Sequence, residues 1–345
     1  MGQVTTIGLD IAKSVFQVHG VDAAGAAVMR HRLTRSKLLK FFGKLPSCLI
    51  GIEACASSHH WARELIALGH TVKLMPAQYV KPYVKRGKND AADAEAICEA
   101  VTRPTMRFVA VKSPEQQSAM MLHRVRLILM RQRTQITNAI RSHLAEFGIV
   151  SPVGREGIDK LLDIVADAED SRVPPEARLC LEMLAVQLRV VKAQILENDR
   201  QITIRARETE VGRRLMAIPG VGPVLASAFV ATVADPAIFK TGRGLAAWIG
   251  LVPRQNSSGG KERLGGITKA GNRYLRQMLV VGAMAVIRHA ERNGSRRPWL
   301  VQLLARKATK LAAIALANRT ARMVWALMTS GESYRDPGVP ALAAA

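Results

Sequence analysis

Three stretches of sequence decide the fold of the N-terminal region: VTTIGL (4–9), VFQVHGV (15–21) and AVMRHRL (27–33). These are short β-type runs, and Gly, Asp and Ala residues at turns separate them, which predicts three consecutive strands. The pattern then predicts a helix at 36–45, a strand at 48–52, a helix at about 59–68, a strand at 71–75, and helical pieces at about 77–85 and 90–103. The order βββαβαβα indicates a mixed sheet with helices on its faces. No G-x-G-x-x-G follows the first strand, so a dinucleotide-binding fold is not expected.

The middle of the chain is predicted to be helical. Two runs without Gly or Pro, Glu115 to Phe147 and Glu176 to Val211, are joined by the Pro/Gly/Asp-rich stretch 148–175. Apolar residues recur in the first run at spacings of three, four and seven, which favours an antiparallel helical hairpin or coiled-coil arm suited to oligomerisation. An ordinary helical subdomain is the alternative. The expected fold class is α/β plus α, with domains at 1–112, 113–211 and 212–332 and a disordered tail at 333–345.

Composition restricts the function. The 345 residues carry 50 Lys/Arg against 27 Asp/Glu, a formal net charge of +23. Residues 239–325 alone hold 17 Lys/Arg and two acids, a charge of +15. Such asymmetry is typical of proteins that bind nucleic acid. The four cysteines contain no C-x-x-C pair, which argues against a disulfide framework and a structural zinc site and suits the cytoplasm. No membrane partner is expected, because no run of 18 apolar residues occurs.

Four acids stand at positions where they could converge. Asp10 follows the first predicted strand, Glu53 follows the fourth, and Asp90 and Asp93 share one face at the start of a predicted helix. If the first and fourth strands are neighbours, Asp10 and Glu53 emerge at the same edge. Four carboxylates there would repel one another unless they held divalent cations. Mg²⁺ prefers hard oxygen ligands, and a pair of such ions would promote phosphoryl transfer. The alternative is local: Asp90 could be a helix cap and Asp93 a partner of the helix dipole.

Two glycine-rich motifs lie in the basic C-terminal part. IPGVGP (218–223), with Gly220 and Gly222, is similar to a helix-hairpin-helix turn whose amides contact phosphate, although a tight turn between helices is equally consistent. PRQNSSGGKERLGGITKAGNRYLR (253–276) surrounds Ser257 and Ser258 with glycines and cations. The candidate phosphate-binding cations are Arg254, Lys261, Arg263, Lys269, Arg273 and Arg276. A serine here could attack a phosphodiester, or the segment could be a flexible loop that only binds.

These motifs resemble, in identity and order, those of transposases of the insertion sequence 110 family, especially its 1111 subgroup, related to the pilin-gene inverting recombinase. The motifs are GLDIAK (8–13), IEA (52–54), KNDAADAEAI (88–97), IPGVGP (218–223) and the block 250–276. The resemblance implies a RuvC-like domain of the RNase H type, whose acidic tetrad falls on Asp10, Glu53, Asp90 and Asp93. It also implies a mostly helical C-terminal transposase domain whose catalytic serine falls on Ser258, with Ser257 left open as the alternative.

The resemblance further implies the cofactor and the partners. The tetrad would hold Mg²⁺, as two ions, with Mn²⁺ as an alternative. Donor and target DNA would be the substrates, a structured guide (bridge) RNA encoded by the element would pair with both, and the protein would form dimers or tetramers at the bacterial nucleoid. The expected function is therefore strand exchange through a serine–DNA intermediate. Two alternative functions remain: a RuvC-like nuclease without serine chemistry, and a non-catalytic scaffold that binds nucleic acid.

Overall fold

A computed structural model describes residues 3–85, 89–293 and 298–335. The chain divides into two compact units, Met1–Pro114 and Glu115–Ala345. The division into domains at 1–112, 113–211 and 212–332 stays a prediction. Most of the tail predicted at 333–345 lies outside the described residues, as does Lys88 of the predicted motif at 88–97.

The first unit is built on a five-stranded mixed sheet with strand order β3-β2-β1-β4-β5. Its elements are β1 (Thr6–Ile11), β2 (Val15–Val21), β3 (Ala27–Thr34), α1 (Leu38–Phe42), β4 (Leu49–Glu53), α2 (Ser58–Ala67), β5 (Thr71–Met75), α3 (Ala77–Val80) and α4 (Asp90–Val101), with 3₁₀ turns at Arg35–Lys37 and Lys81–Tyr83. β1 pairs antiparallel with β2 and parallel with β4, and β4 pairs parallel with β5. The predicted element order and the adjacency of the first and fourth strands are confirmed.

The two faces of this sheet are covered differently. On one face, side chains such as Leu9, Phe16 and Ile52 pack against Leu38 of α1 and Trp61 of α2 in a buried core. On the other face, the sheet presents glycine at paired positions of β1 and β4, and α4 lies directly on the strands there. The alternation of side chains along each strand therefore separates an apolar core from the face that carries Asp10.

The second unit begins with two long antiparallel helices, α5 (Pro114–Glu146) and α7 (Pro175–Glu208). Leu129 of α5 packs against Val191 and Ile195 of α7. Between the long helices, the structure places a further helix, α6 (Arg155–Ala166), where the sequence analysis expected only a connecting stretch. That expectation was wrong because the Pro and Gly residues flank 155–166 rather than interrupt it, and an apolar stripe that includes Leu161 and Val165 is buried against α7.

The rest of the second unit is mostly helical, as expected. Its elements are α8 (Glu210–Met216), α9 (Pro223–Thr232), a 3₁₀ turn (Pro236–Ile238), α10 (Gly242–Ile249), β6 (Pro253–Gln255), β7 (Leu264–Ile267), α11 (Arg273–Asn293), α12 (Pro298–Arg306) and α13 (Thr309–Ser330). Side chains such as Phe229, Leu279 and Val324 form one buried core. No helix in the described ranges is both long and apolar enough to cross a membrane.

A buried polar cluster connects the long helices to the C-terminal helices. His123 of α5 is hydrogen-bonded through Nδ1 to the Tyr274 hydroxyl of α11 (3.0 Å) and through Nε2 to the Ser227 hydroxyl of α9 (3.1 Å). One turn along α5, Arg126 donates to both carboxylate oxygens of Asp199 in α7, at 2.6 and 3.3 Å. Because a buried polar group costs free energy unless it is paired, this cluster specifies how α5, α7, α9 and α11 pack together.

Candidate active site and nucleic-acid interface

Asp10 and Glu53 lie at the carboxyl ends of two adjacent parallel strands. Leu9 is paired with Ile52 in the β1–β4 register, so Asp10 and Glu53 occupy the next step of the two strands. Both share the face of paired Gly8 and Gly51, because side chains two residues apart on a strand point the same way. The convergence that the sequence predicted for these two acids is confirmed at the level of strand register.

Glycine on this face brings α4 against the sheet. A Cβ atom on Gly8 would overlap the carbonyl oxygen of Ala94, and a Cβ on Gly51 would come within 2.8 Å of Val101 Cβ. Ala94 is the residue next to Asp93, and Gly8 is two residues before Asp10. The missing side chain of Gly8 is therefore what allows α4 to carry Asp93 up to the strand that carries Asp10. Gly8 lies in the motif GLDIAK (8–13), but the sequence pattern alone did not indicate this role.

The first turn of α4 supplies the other two acids without using them as caps. Asn89 is the N-cap, and its side-chain oxygen accepts a hydrogen bond of 2.8 Å from the Ala92 amide. Asp90 and Asp93 both follow the cap within the first turn. Capping therefore does not account for Asp90, and a favourable interaction with the helix dipole is the only local role left to these two carboxylates.

The four carboxylates act on one another electrostatically. The pKa of Asp10 is raised from 3.8 to about 6, first by burial and then by the negative charges of Asp93, Asp90 and Glu53. Burial, followed by the charge of Asp93, also raises the pKa of Glu53. Like charges raise a carboxyl pKa in this way only when they are close together. The structure thus brings all four predicted acids into one electrostatic cluster.

This cluster has the chemistry of a divalent-cation site, although the geometry of coordination is not formed. Across residues 3–85, 89–293 and 298–335, no group of three or more His, Cys, Asp or Glu side chains is placed to hold a metal ion. Carboxylate oxygens are nevertheless the ligands that Mg²⁺ and Mn²⁺ accept, and a cation would relieve the repulsion that raises the pKa of Asp10. The donor set therefore fits a hard divalent ion.

The predicted serine block forms a β-hairpin rather than a flexible loop. β6 and β7 pair antiparallel, and beyond them Ser258 and Lys261 form an isolated bridge. The Lys261 amide donates to the Ser258 carbonyl at 3.1 Å, and the two residues between, Gly259 and Gly260, have φ angles of +56° and +75°. Positive φ at both central positions is the signature of a type I′ turn, which needs glycine or a similar residue there. The doubled glycine therefore fixes a tight tip that carries Ser258.

The two adjacent serines have different surroundings. The Ser257 hydroxyl accepts a hydrogen bond of 3.1 Å from the Arg263 amide across the hairpin. Ser258 is exposed at the start of the turn, and no side-chain hydrogen bond of Ser258 is found among the described residues. Ser257 thus stabilises the hairpin, whereas the Ser258 side chain is exposed to solvent.

Most of the predicted phosphate-binding cations surround this hairpin. Arg254, Lys261, Arg263, Lys269 and Arg273 are exposed, and within the described part of the chain none of them forms an ion pair. Arg276 is different, because its Nη1 donates to the carbonyls of Ile249 (2.6 Å) and Ala270 (3.1 Å). Arg276 therefore holds the end of α10 against the segment after the hairpin.

The two glycines of IPGVGP also differ. Gly220 has a φ of +85° and packs against the backbone of Gly282 in α11, so a side chain there would be excluded. Gly222 is exposed and is the N-cap of α9, with nothing nearby to obstruct a Cβ atom. The turn between α8 and α9 thus forms a helical hairpin in which Gly220 is used for packing and Gly222 remains open to solvent.

Comparison with known proteins bears on both units. The family described as Transposase IS116/IS110/IS902 matches residues 212–297, and a transposase family of the IS110 DEDD type matches residues 7–149. The chain is 50% identical over 336 residues to the Sinorhizobium fredii protein y4pF/y4sB, whose name describes a transposase, covering 97% of this chain and 86% of the relative. It is 38% identical to the transposase for insertion sequence element IS1111A of Coxiella burnetii, covering 97% and 92%.

The chain belongs to the IS110 family of transposases. It is a DNA transposase of an insertion sequence, and DNA is its substrate. The DEDD match spans Asp10, Glu53, Asp90 and Asp93 and points to the use of a divalent metal, while the second match spans both the IPGVGP turn and the serine hairpin. The resemblance of the sequence to this family and to its IS1111-like members is confirmed. The relation to the pilin-gene inverting recombinase stays a prediction.

Proposed function

We propose that this transposase exchanges DNA strands by Mg²⁺-dependent phosphoryl transfer, in which an RNase H/RuvC-like tetrad of Asp10, Glu53, Asp90 and Asp93 works with the nucleophile Ser258. The observation that supports the tetrad most strongly is the strand register, which puts Asp10 and Glu53 at adjacent strand ends on the face where α4 packs against Gly8. Repulsion among partly buried carboxylates destabilises the folded protein, and such clusters are typical of functional sites.

In this proposal the four carboxylates hold the catalytic cations. Asp10 and Glu53 lie on adjacent strands and Asp93 on the helix packed over Gly8, so the fold itself sets their separation. Two bound Mg²⁺ ions would polarise the phosphoryl group and stabilise the departing oxygen. Mn²⁺ has the same oxygen preference and would substitute.

Ser258 is proposed to make the covalent link to DNA. Its Oγ–P bond would form while the P–O bond to one sugar oxygen of the strand breaks. The hydroxyl proton would pass to a general base, and the leaving sugar oxygen would take up a proton. Attack by a sugar hydroxyl of the second strand reverses these steps, so rejoining needs no external energy source. The free Ser258 hydroxyl supports this role over Ser257, which is hydrogen-bonded to the Arg263 amide.

The surrounding cations would bind the nucleic acid. Five exposed cations lie around the hairpin: Arg254, Lys261, Arg263, Lys269 and Arg273. Such groups stabilise the negative charge that develops on phosphoryl oxygens during the reaction. We extend the proposal to an element-encoded guide RNA on the resemblance to the family alone, since base pairing by such an RNA would supply sequence recognition that the protein itself need not carry. The proposed assembly is a dimer or tetramer acting at the nucleoid.

Thermal unfolding with added cation tests the tetrad without relying on activity. A ligand that binds only the folded state stabilises it by RT ln(1 + [L]/Kd), so Mg²⁺ should raise the Tm of the wild-type N-terminal unit. Asp10→Asn and Asp93→Asn should lose this increase. Without metal, Asp10→Asn should keep or raise the Tm, because it removes a repelled charge. Each variant should also lose strand exchange, whereas an equal Mg²⁺ response in wild type and Asp10→Asn would contradict the tetrad.

A further inference from the structure

The segment that contains the edge strand β3 of the N-terminal sheet is rich in cations. Residues 23–52 contain no Asp or Glu, and they carry six cations: Arg30, Arg32, Arg35, Lys37, Lys40 and Lys44. Two of these, Arg30 and Arg32, lie on β3, which is an edge strand, and both are exposed. Positive charge on an edge strand discourages pairing with another sheet. That protective role does not require the charged side chains to lie on one particular face of the sheet.

The strand register places these two arginines on the same face as the acids. Asp10 is paired with Gln17, and Gln17 is paired with Arg32. One step further, Gly8 is paired with His19, and His19 with Arg30. Because paired residues point to the same side of a sheet, Asp10, Gln17 and Arg32 form one row across three strands. At a strand spacing of about 4.8 Å, the backbone of Arg32 lies about 10 Å from that of Asp10.

Neither arginine is neutralised within the described residues. Glu95 of α4 is the acid near Arg30, and it is already paired with Lys85 at 2.6 Å between Nζ and Oε1. Arg32 forms no hydrogen bond or ion pair among the described residues. The row therefore runs from a cluster of carboxylates, over a neutral amide, to a free cation at the open edge of the sheet.

We propose that Arg32, supported by Arg30, binds the phosphate backbone of the DNA strand whose scissile phosphodiester reaches the acids. The inference rests on the proposed function of the tetrad, because the acids determine which molecule enters. A polyanion approaching four carboxylates is repelled, so cations a short distance along its path are needed to hold it in place. Arg32 is thus a substrate-positioning residue of the N-terminal unit.

Fluorescence anisotropy with the full-length protein tests this surface. The probe is a labelled DNA duplex of about 30 base pairs, titrated in EDTA at several salt concentrations so that no chemistry occurs. Loss of one phosphate contact reduces the slope of log affinity against log salt by about 0.9 and weakens binding roughly fivefold to eightfold at 0.1 M salt. Arg32→Gln should show this change, and Arg32→Lys, which keeps the charge, should show little of it. Gln17→Glu should also weaken binding, because it adds a negative charge to the row.

Lys40→Gln is the matched control. Lys40 is an exposed cation on α1, which packs on the opposite face of the same sheet, and its loss should leave the slope unchanged. Equal effects of Lys40→Gln and Arg32→Gln would overturn the proposal, as would an Arg32→Gln slope equal to wild type. An effect seen with a structured RNA and not with the duplex would overturn the assignment to DNA. These binding measurements do not depend on catalysis. If Arg32 does not bind DNA, the proposal for the tetrad is still tested by Asp10→Asn, and a failed tetrad leaves the binding result for Arg32 valid.

Discussion

His123 should make the second unit sensitive to mild acid. The imidazole is 4% exposed and is hydrogen-bonded to Tyr274 and Ser227. Burial, followed by the positive charge of Arg126, lowers the pKa of His123 from 6.5 to about 4. The folded protein therefore keeps this side chain neutral over a pH range in which the unfolded chain takes up a proton.

The size and direction of the effect follow from this shift. Above pH 6.5 the imidazole is neutral in both states, so it contributes no pH dependence. Between pH 6.5 and 4 the unfolded state binds the proton and the folded state does not, so the free energy of unfolding falls as the pH falls. A shift from 6.5 to about 4, at 1.36 kcal/mol per pH unit, corresponds to a loss of roughly 3 kcal/mol. Below pH 4 both states are protonated and this contribution becomes constant.

Urea unfolding of wild type and His123→Gln at pH 7, 6, 5 and 4 measures this contribution. Tryptophan fluorescence reports the relevant unit, because Trp248, Trp299 and Trp325 lie in it and only Trp61 lies in the other. Glutamine keeps hydrogen-bonding capacity and has no titration, so the variant should start less stable at pH 7 and approach the wild type by roughly 3 kcal/mol at pH 4. Parallel pH dependence in the two proteins would refute the neutral, buried state of His123.

Three further predictions concern packing and charge. Gly8→Ala should destabilise the N-terminal unit by about 1–3 kcal/mol and abolish strand exchange, because a Cβ atom at this position would push α4 away from β1. An unchanged Tm together with unchanged strand exchange would show that the close approach of α4 to β1 is not needed. Gly220→Ala should destabilise the second unit more than Gly222→Ala, because only Gly220 has positive φ and packs on Gly282; equal urea midpoints would contradict this. If six or more of the C-terminal cations contact phosphate, the affinity for duplex DNA should fall by about a thousandfold or more between 50 and 200 mM salt. An affinity that does not change with salt would refute the proposal that these cations bind the DNA backbone.

The sequence predicted the N-terminal sheet closely because its signals are local. Short β-type runs separated by turn residues predicted three strands before the first helix, and the positions of Asp10 and Glu53 after the first and fourth strands predicted their convergence. The sequence could not show that the N-cap of α4 is Asn89 rather than Asp90, because both residue types are good N-caps. Only the backbone conformation shows which of the two residues occupies the N-cap position.

The remaining features depend on contacts between distant parts of the chain. The roles of Gly8 and Gly220 require knowing which helix packs on each glycine. Arg32 becomes informative only through the β1–β2–β3 register, although the acid-free stretch 23–52 was a visible signal. The sequence also could not separate Ser257 from Ser258, because the hydrogen bond that occupies Ser257 comes from Arg263, six residues away across the hairpin.

The most direct test of the account is to trap the reaction on end-labelled DNA with Mg²⁺ and map any protein–DNA adduct by mass spectrometry. We predict an adduct on Ser258 in wild type and in Ser257→Ala, with none in Ser258→Ala, which should also lose strand exchange. Asp10→Asn should give no adduct either, because the serine hydroxyl needs activation. An adduct on Ser257 would contradict the assignment of Ser258. Full DNA cleavage by Ser258→Ala without any adduct would contradict the covalent mechanism and establish a nuclease that uses the acids alone.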